Sequence, residues 1–212
     1  MRATLRFRAA RSILRRLLLS VFRVRVEGLE RLPSEPPYVL ACNHLGWLDP
    51  FLLIACLPAS PRVHFLGKRS AIENRAFKRW ILRFIGGVIP VESGKLEHLS
   101  AAVAEVLHEG GVVAIFPEGG VGPTEGQLQR LRGGVAHFSE QNRAPVVAAG
   151  LAGTSELWRG KEIRLRIGTT VEPASPGLML AAVERALVAA IPPPATSAAG
   201  SRLWPWLTHL LR

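Results

Sequence analysis

One histidine and one aspartate in this sequence have the residue types and the spacing for acid–base chemistry. They are His44 and Asp49, five positions apart in the segment Asn-His-Leu-Gly-Trp-Leu-Asp-Pro at 43–50. A histidine with an ordinary pKa of about 6.5 can take a proton from an alcohol near neutral pH. An aspartate bound to the other ring nitrogen would fix the tautomer and stabilise the imidazolium that forms. The spacing therefore predicts a general base with its supporting acid.

The same two residues also have a purely structural interpretation. Asp49 followed by Pro50 is an ordinary helix start, with an N-cap and then proline at the first helical position, and His44 could be a satisfied core histidine. No Gly-x-Ser-x-Gly segment accompanies the pair, and Cys42 and Cys56 lie in apolar surroundings, as buried free thiols of a reducing compartment do. If the pair is catalytic, it fits direct attack by a substrate hydroxyl on an activated acyl group.

A second loop of chemical interest follows an apolar run at 112–116. The segment 112–120 reads Val-Val-Ala-Ile-Phe-Pro-Glu-Gly-Gly, which takes a predicted buried strand into a glycine-rich turn around Glu118. Glycines let the backbone approach a ligand closely, and a carboxylate at the end of a buried strand is typical of a binding loop. A plain strand-to-turn exit would have the same sequence, so the segment alone leaves both interpretations open.

These loops must be positioned by an alternation of short apolar runs and helical patterns. Strands are predicted at 24–26, 38–42, 63–66, 88–91, 112–116 and 145–151, and helices at 50–57, 75–85, 96–109, 135–142 and 178–191. Residues 162–171 alternate between polar and apolar types, which predicts an antiparallel or edge strand. The alternation predicts one α/β domain over residues 23–191, with a mostly parallel or mixed central sheet flanked by helices.

Residues 1–22 are predicted to form a basic amphipathic helix. Apolar residues recur at three- and four-residue intervals on one face, and arginines are expected on the other: Ile13, Leu14, Leu17, Leu18 and Val21 against Arg8, Arg11, Arg15 and Arg16. This pattern is typical of a helix that lies in an anionic membrane interface. The alternative is a terminal helix packed on the domain. Residues 192–212 are predicted as a linker and a tryptophan-containing tail, which either contacts the membrane or docks on the domain.

The charge balance limits the possible partners. Lys and Arg total 27 against 16 acidic residues in 212, a net charge of +11, and eight arginines lie in the first 25 residues. Patches of lysine and aromatic residues are missing, so nucleic acid is not expected as a partner. No apolar run reaches the roughly 18 residues of a spanning helix, secretion is not expected, and no residues have the spacing of metal ligands. A membrane surface or a phosphorylated substrate remains.

Four ordered segments resemble the motifs of the glycerolipid acyltransferase family, which includes bacterial 1-acylglycerol-3-phosphate acyltransferases. The segments are Asn43-His44-x4-Asp49, Gly-Val-Ile-Pro-Val at 87–91, Phe-Pro-Glu-Gly at 116–119 and Ala-Pro-Val-Val-Ala-Ala-Gly at 144–150. Each motif is weak alone, but four in the right order are specific. The resemblance covers residues 24–171 and implies the glycerol-3-phosphate acyltransferase-like fold.

The resemblance implies a role for each matching residue. His44 would deprotonate the acceptor hydroxyl while Asp49 orients it. The acceptor site would be formed by Lys68, Phe116, Pro117, Glu118 and Gly119, with Lys68 near the acceptor phosphate. The co-substrate would be a thioester of coenzyme A or acyl carrier protein, with no other cofactor and no metal.

The implied reaction is O-acylation of a lysoglycerolipid, with 1-acyl-sn-glycerol-3-phosphate as the first expected acceptor and phosphatidic acid as the product. The implied partners are membrane lipids and an anionic bilayer surface. The expected location is the cytoplasmic face of the cell membrane, as a peripheral or monotopic protein.

Two departures from the family pattern concern the acceptor. The second motif usually ends in arginine, whereas Val91 is followed by Glu92; the third usually continues with Thr-Arg, whereas Gly120-Val121 stands here. In the family both arginines are associated with the acceptor phosphate, which arginine can bind in a bidentate manner.

Three hypotheses about the acceptor and the activity follow from these departures. In the first, the phosphate is bound by a different basic residue: Lys68, Arg69, Arg130 or Arg132. In the second, the acceptor is a lysophospholipid, glycolipid or other lipid alcohol that has no phosphomonoester. A catalytically idle lipid-binding membrane protein is the third, and the intact pair of His44 and Asp49 argues against it.

Overall fold

Seven strands form one sheet in the computed structural model, which describes residues 3–68, 87–92 and 94–194. They are β1 (Arg23–Glu27), β2 (Tyr38–Cys42), β3 (Val63–Lys68), β4 (Val88–Val91), β5 (Val112–Ile115), β6 (Val146–Ala152) and β7 (Glu162–Val171). Their order across the sheet is β1-β7-β6-β2-β5-β3-β4. β2, which leads to His44, therefore lies in the middle of the sheet.

The sheet is mixed, as the sequence predicted. β4, β3, β5, β2 and β6 pair in parallel, β7 is antiparallel to β6, and β1 is parallel to β7. A short connection suffices between antiparallel neighbours, and only residues 153–161 join β6 to β7. The prediction of an antiparallel strand at 162–171 is confirmed, although β1 rather than β7 forms this edge of the sheet.

Helices cover both faces of the sheet. They are α1 (Leu5–Val21), α2 (Asp49–Cys56), α3 (Leu96–His108), α4 (Gly134–Asn142) and α5 (Pro176–Ala190), with a short 3-10 helix at Leu29–Arg31 that the sequence did not predict. α1 and α2 pack on one face and α3, α4 and α5 on the other. β2 is buried throughout, as expected of a strand covered on both sides. Leu40 and Cys42 belong to the core beneath α1 and α2, and Val39 and Ala41 belong to the core beneath α3, α4 and α5.

The other predicted elements within the described residues were found close to their predicted positions. The predicted helix at 75–85 lies outside the described residues, as does the tail from residue 195 onward. In the part of the chain that the structure describes, no helix is both long enough and apolar enough to cross a membrane.

α1 packs on α2, which divides its predicted apolar face. Leu18 is buried and Leu14 packs beside it, whereas Ile13 and Leu17 are each 59% exposed. Arg11 also differs from the expectation of a solvated basic face, because it points toward α2. Its Nε–H donates to the carbonyl oxygen of Ile54 at 2.9 Å, and its Nη2–H to that of Leu57 at 2.5 Å. The last carbonyls of a helix have no partners inside the helix, and a guanidinium is a suitable donor for them.

Candidate active site

His44 and Glu118 lie at the same edge of the sheet, because β2 and β5 are parallel neighbours and both residues follow the carboxyl ends of these strands. Asn43 joins this edge to β6. Its Nδ2–H donates to the carbonyl oxygen of Leu151 at 3.0 Å, and its Oδ1 accepts from the backbone N–H of Leu151 at 2.7 Å. Asn43 is buried, so this paired contact fixes the point where the chain leaves β2 and starts the loop of His44.

The predicted pair is in contact. Nδ1 of His44 lies 2.8 Å from Oδ2 of Asp49, with the histidine side chain 19% exposed and the aspartate fully buried. The same Oδ2 accepts the backbone N–H groups of Leu45 at 2.6 Å and Gly46 at 2.9 Å. The turn from 44 to 49 therefore folds around this carboxylate. Asp49 is the first residue of α2 and Leu48 occupies the cap position, so the interpretation of Asp49 as an ordinary N-cap is wrong.

The other oxygen of Asp49 is bound by a residue that the sequence analysis did not identify. The buried hydroxyl of Thr154 donates to Oδ1 at 2.5 Å. A carboxylate that accepts two N–H groups and one O–H group is an acceptor for the imidazole as well, so Nδ1 of His44 is the protonated ring nitrogen. Nε2 then keeps its lone pair, and this is the state that a general base requires.

Gly46 is also fitted to Thr154. A Cβ atom at Gly46 would lie 2.7 Å from the carbonyl oxygen of Thr154, closer than the packing permits. The absence of a side chain at Gly46 therefore lets the turn lie directly on the backbone that carries the Thr154 hydroxyl.

The ring of His44 lies against an aromatic side chain from the second predicted loop. His44 and Phe116 are stacked with their centroids 4.2 Å apart and their planes inclined by 19°. Phe65 of β3 also stacks with Phe116, with the ring centroids 6.4 Å apart. Phe116 therefore limits the rotation of the imidazole, in addition to any contact it makes with an acceptor.

Glu118 holds the backbone of His44. Its Oε1 accepts the N–H of His44 at 2.8 Å and its Oε2 the N–H of Gln129 at 2.9 Å, while the carbonyl oxygen of His44 accepts the N–H of Gly122 at 2.7 Å. The carboxylate is buried, and both of its oxygens are occupied. The contribution of Glu118 to acceptor binding stays a prediction. Its observed contacts connect the loop of His44 with the loop that contains Gln129.

A second glutamate, which the sequence analysis did not identify, holds the far end of the same loop. Glu125 accepts the backbone N–H of Gly153 through Oε1 and the hydroxyl of Ser155 through Oε2, the latter at 2.6 Å. The loop 118–133 is thus tied to the turn that presents Thr154. Within the described residues, no group of three or more histidine, cysteine or acidic side chains could hold a metal ion.

Neither cysteine has the electrostatic environment of a nucleophile. Burial raises the pKa of Cys42 well above its usual value, and the carboxylates of Asp49 and Glu118 raise it further. Burial raises the pKa of Cys56 to about 11. Both thiols are free and stay protonated near neutral pH, so they are poor nucleophiles.

The remaining predicted site residues lie around the same edge. Lys68 ends β3 and pairs with Val91 of β4, although its side chain and the whole of Arg69 lie outside what the structure describes. The carbonyl oxygen of Pro117 accepts the N–H of Arg132 at 2.7 Å. Gly119 has a left-handed φ of 73° and lies directly against the Arg132 side chain.

Comparisons with known proteins found a matching family model, sequence relatives and a similar fold. A family model described as Acyltransferase matches residues 23–152. A 1-acyl-sn-glycerol-3-phosphate acyltransferase of Bacillus subtilis is 30% identical over 158 residues, which cover 71% of this chain and 75% of that protein. A protein of the same description from Cocos nucifera is 26% identical over 68% of this chain and 46% of its own length.

The fold also has a counterpart among solved structures. The crystal structure of the 1-acyl-sn-glycerophosphate (LPA) acyltransferase of Thermotoga maritima superposes with a TM-score of 0.73 over 86% of this chain and 77% of that chain, at 18% identity. At this identity the likeness supports the fold.

Proposed function

The chain belongs to the acyltransferase family, and from that premise we propose that it transfers a fatty acyl group from a thioester to a hydroxyl of a lysoglycerolipid. The observation that carries the proposal is the buried Asp49 carboxylate, which holds the Nδ1–H of His44 and leaves Nε2 free. A protein that only binds lipid has no need of such a base.

The proposed reaction needs no covalent enzyme intermediate. Nε2 of His44 takes the proton of the acceptor hydroxyl while the hydroxyl oxygen attacks the carbonyl carbon of the thioester. The new C–O bond forms and the C–S bond breaks as the tetrahedral intermediate collapses. The leaving thiolate accepts this proton from the imidazolium and departs as a thiol. Asp49 stabilises the imidazolium while the proton resides on His44.

The first candidate acceptor is 1-acyl-sn-glycerol-3-phosphate, with phosphatidic acid as the product. The description of the Bacillus subtilis relative supports this choice. The second candidate is a lipid alcohol without a phosphomonoester, and Gly120-Val121 in place of Thr-Arg favours it. The donor is proposed to be acyl-coenzyme A or acyl carrier protein loaded with a fatty acid.

The proposed place of action is the cytoplasmic face of the cell membrane, with the protein bound to an anionic bilayer surface. α1 supports this proposal through its outer side, where large apolar residues and arginines are both exposed: Leu5, Ile13, Leu17 and Leu19 with Arg6, Arg8, Arg15 and Arg16. Each basic residue near an anionic surface contributes about 1 kcal/mol. Contact of the tryptophan-containing tail within residues 192–212 with the membrane stays a prediction.

The test is acyl transfer by the His44→Ala variant. Purified protein receives a labelled acyl thioester and a panel of lysolipids with and without phosphate, and both thiol release and the labelled product are measured. We expect His44→Ala to lose transfer to every acceptor while retaining the thermal unfolding midpoint. His98→Ala, at an exposed position on α3, is the matched control and should transfer normally. Unchanged turnover by His44→Ala would contradict the proposed base.

A further inference from the structure

Thr154 is the residue through which the turn between β6 and β7 contacts Asp49. Its hydroxyl donates to Oδ1 of the buried carboxylate. Its carbonyl oxygen lies against Gly46, where a Cβ atom would be only 2.7 Å from that oxygen. Thr154 is itself buried. The position of this turn therefore decides whether Asp49 keeps the hydroxyl donor on its second oxygen.

Glu125 holds the two residues that flank Thr154. Its Oε1 accepts the backbone N–H of Gly153, and its Oε2 accepts the hydroxyl of Ser155 at 2.6 Å. One carboxylate thus binds both the residue before the hydroxyl donor and the residue after it. Because hydrogen bonds to a charged acceptor are stronger than those between neutral groups, these two contacts fix the turn in its place and orientation.

The charge of Glu125 also has a counterpart in the segment 153–161. Lys161 is buried, and its ammonium donates to the carbonyl oxygen of Glu156 at 2.6 Å and lies 4.1 Å from the centroid of the Trp158 ring. Burial lowers the pKa of Lys161, and the carboxylates of Glu125 and Glu156 oppose this shift. Glu125 is therefore attracted to the turn by charge as well as by its two hydrogen bonds.

The loop that contains Glu125 also supports the other member of the pair. Glu118 in this loop accepts the backbone N–H of His44. Two carboxylates of one loop thus reach the two residues of the pair separately: Glu118 binds His44 directly, and Glu125 reaches Asp49 through the turn.

We propose that Glu125 is a positioning residue for acyl transfer, because it holds the hydroxyl of Thr154 on Asp49. The inference rests on the proposed function for its effect on the rate. A hydroxyl donor fixes the orientation of the Asp49 carboxylate, which in turn orients the imidazole of His44. Loss of the Glu125 contacts should therefore lower kcat and leave KM nearly unchanged, since Glu125 acts through Thr154 and not through a substrate.

The kinetic test is a double-mutant cycle between Glu125→Gln and Thr154→Val. The substituted amide keeps one acceptor oxygen but turns an N–H donor toward either Gly153 or Ser155. We expect Glu125→Gln alone to lower kcat by about three- to tenfold. In the Thr154→Val background, where the hydroxyl is already missing, the same substitution should change kcat by less than about twofold. Multiplicative effects of the two substitutions would overturn the proposal.

A second readout does not require turnover. The proton on Nδ1 of His44, which Asp49 binds, should give a low-field signal in the proton NMR spectrum of the wild type. Glu125→Gln and Thr154→Val should displace this signal in the same direction at temperatures well below unfolding, whereas a residue that only stabilises the loop would leave it in place. Glu97→Gln, at an exposed position of α3, is the matched control for both readouts and should alter neither.

Ser155→Ala replaces Glu125→Gln if that variant does not fold, because it removes only one of the two contacts. It should lower kcat by about two- to threefold and displace the same NMR signal. Wild-type kcat together with an unmoved signal in this variant would overturn the proposal.

The two proposals fail in different ways. A signal that moves in Thr154→Val but not in Glu125→Gln would overturn the role of Glu125 while leaving acyl transfer intact. Absence of transfer by the wild type to any acceptor in the panel would instead overturn the proposed function, and the NMR comparison would still report whether Glu125 positions the pair.

Discussion

Asp49 holds His44 from within the protein: Oδ2 of the aspartate lies 2.8 Å from Nδ1 of the histidine, and the carboxylate is completely buried. Its two oxygens also accept two backbone N–H groups and the hydroxyl of Thr154. These donors replace the water that a buried charge loses and keep the carboxylate in one orientation. The imidazole of His44 is therefore oriented before any substrate binds.

We expect Asp49→Asn to lower kcat by about 10³- to 10⁴-fold with little change in KM. An amide can offer its N–H to Nδ1 of His44, which would move the ring proton to Nε2 and remove the free lone pair. Steady-state kinetics measures the effect, and circular dichroism checks that the fold persists. A rise in KM with an unchanged kcat would contradict the orienting role of Asp49.

Thr154→Val should lower kcat by roughly tenfold and the free energy of unfolding by about 1–3 kcal/mol. The substitution keeps the shape of the side chain but leaves Oδ1 of Asp49 without its hydroxyl donor. Thr154→Ser keeps the hydroxyl and should restore most of the rate. The measurements are kcat and thermal unfolding, and failure of the serine variant to recover activity would show that Thr154 acts through packing alone.

Glu118→Gln should loosen the loop 118–133. The amide nitrogen of glutamine would face one of the two N–H groups that the carboxylate now accepts, at an expected cost of about 1.5–3 kcal/mol in the free energy of unfolding. Limited proteolysis should cut this loop faster, and kcat should fall as His44 loses its fixed backbone. Glu97→Gln, at an exposed position of α3, is the control and should change neither.

The proposed membrane contact and the packing of α1 on the domain involve different sides of this helix, so substitutions can separate them. Ile13→Asp combined with Leu17→Asp should weaken binding to phosphatidylglycerol vesicles at least about tenfold, because both side chains are exposed, and should leave the unfolding midpoint near that of the wild type. Leu18→Ala should instead lower the free energy of unfolding by about 2–5 kcal/mol.

Vesicle sedimentation and thermal unfolding measure these effects. Leu178→Asp, at an exposed position on α5, is the matched control for the vesicle experiment. Full retention of binding by the double variant would assign membrane contact to another part of the chain. Deletion of residues 1–22 is a poorer test, because it also removes Phe7 and Phe22 from the core.

Buried His64 should make the protein sensitive to acid. Burial lowers its pKa below the value of about 6.5 expected in the unfolded chain, and the nearby positive charge of Arg62 lowers it further. Between the two pKa values the unfolded state binds more protons than the folded state does. The contribution of neutral His64 to the free energy of unfolding is therefore fully present above about pH 6.5 and is lost as the pH falls through the folded-state pKa.

The measurement is the unfolding midpoint of wild type and His64→Gln between pH 8 and pH 5. The variant should lose less stability over this interval, whatever its stability at pH 8. His98→Gln, at an exposed histidine, should follow the wild type. Parallel curves for wild type and His64→Gln would contradict the assignment.

The sequence alone predicted the strands and most of the helices, because apolar periodicity and turn residues are local properties. It also predicted that His44 and Glu118 each follow the end of a buried strand, since this depends only on where each strand stops. The alternation of strands and helices is also local, so the sequence predicted an α/β domain with a mostly parallel or mixed sheet. It could not give the strand order, because that order depends on pairing between segments that are distant in the chain.

Contacts between residues far apart in the chain were decided by the tertiary structure. Thr154 binds Asp49 across 105 positions, and Glu118 binds the N–H of His44 across 74. A contact between residues this far apart leaves no pattern of spacing in the sequence. Thr154 and Glu125 could therefore not be identified from the sequence. The residue types of the proposed base and its acid were thus set by the sequence, whereas the groups that hold them, and the placing of Arg132 over Gly119, depend on how the loops pack together.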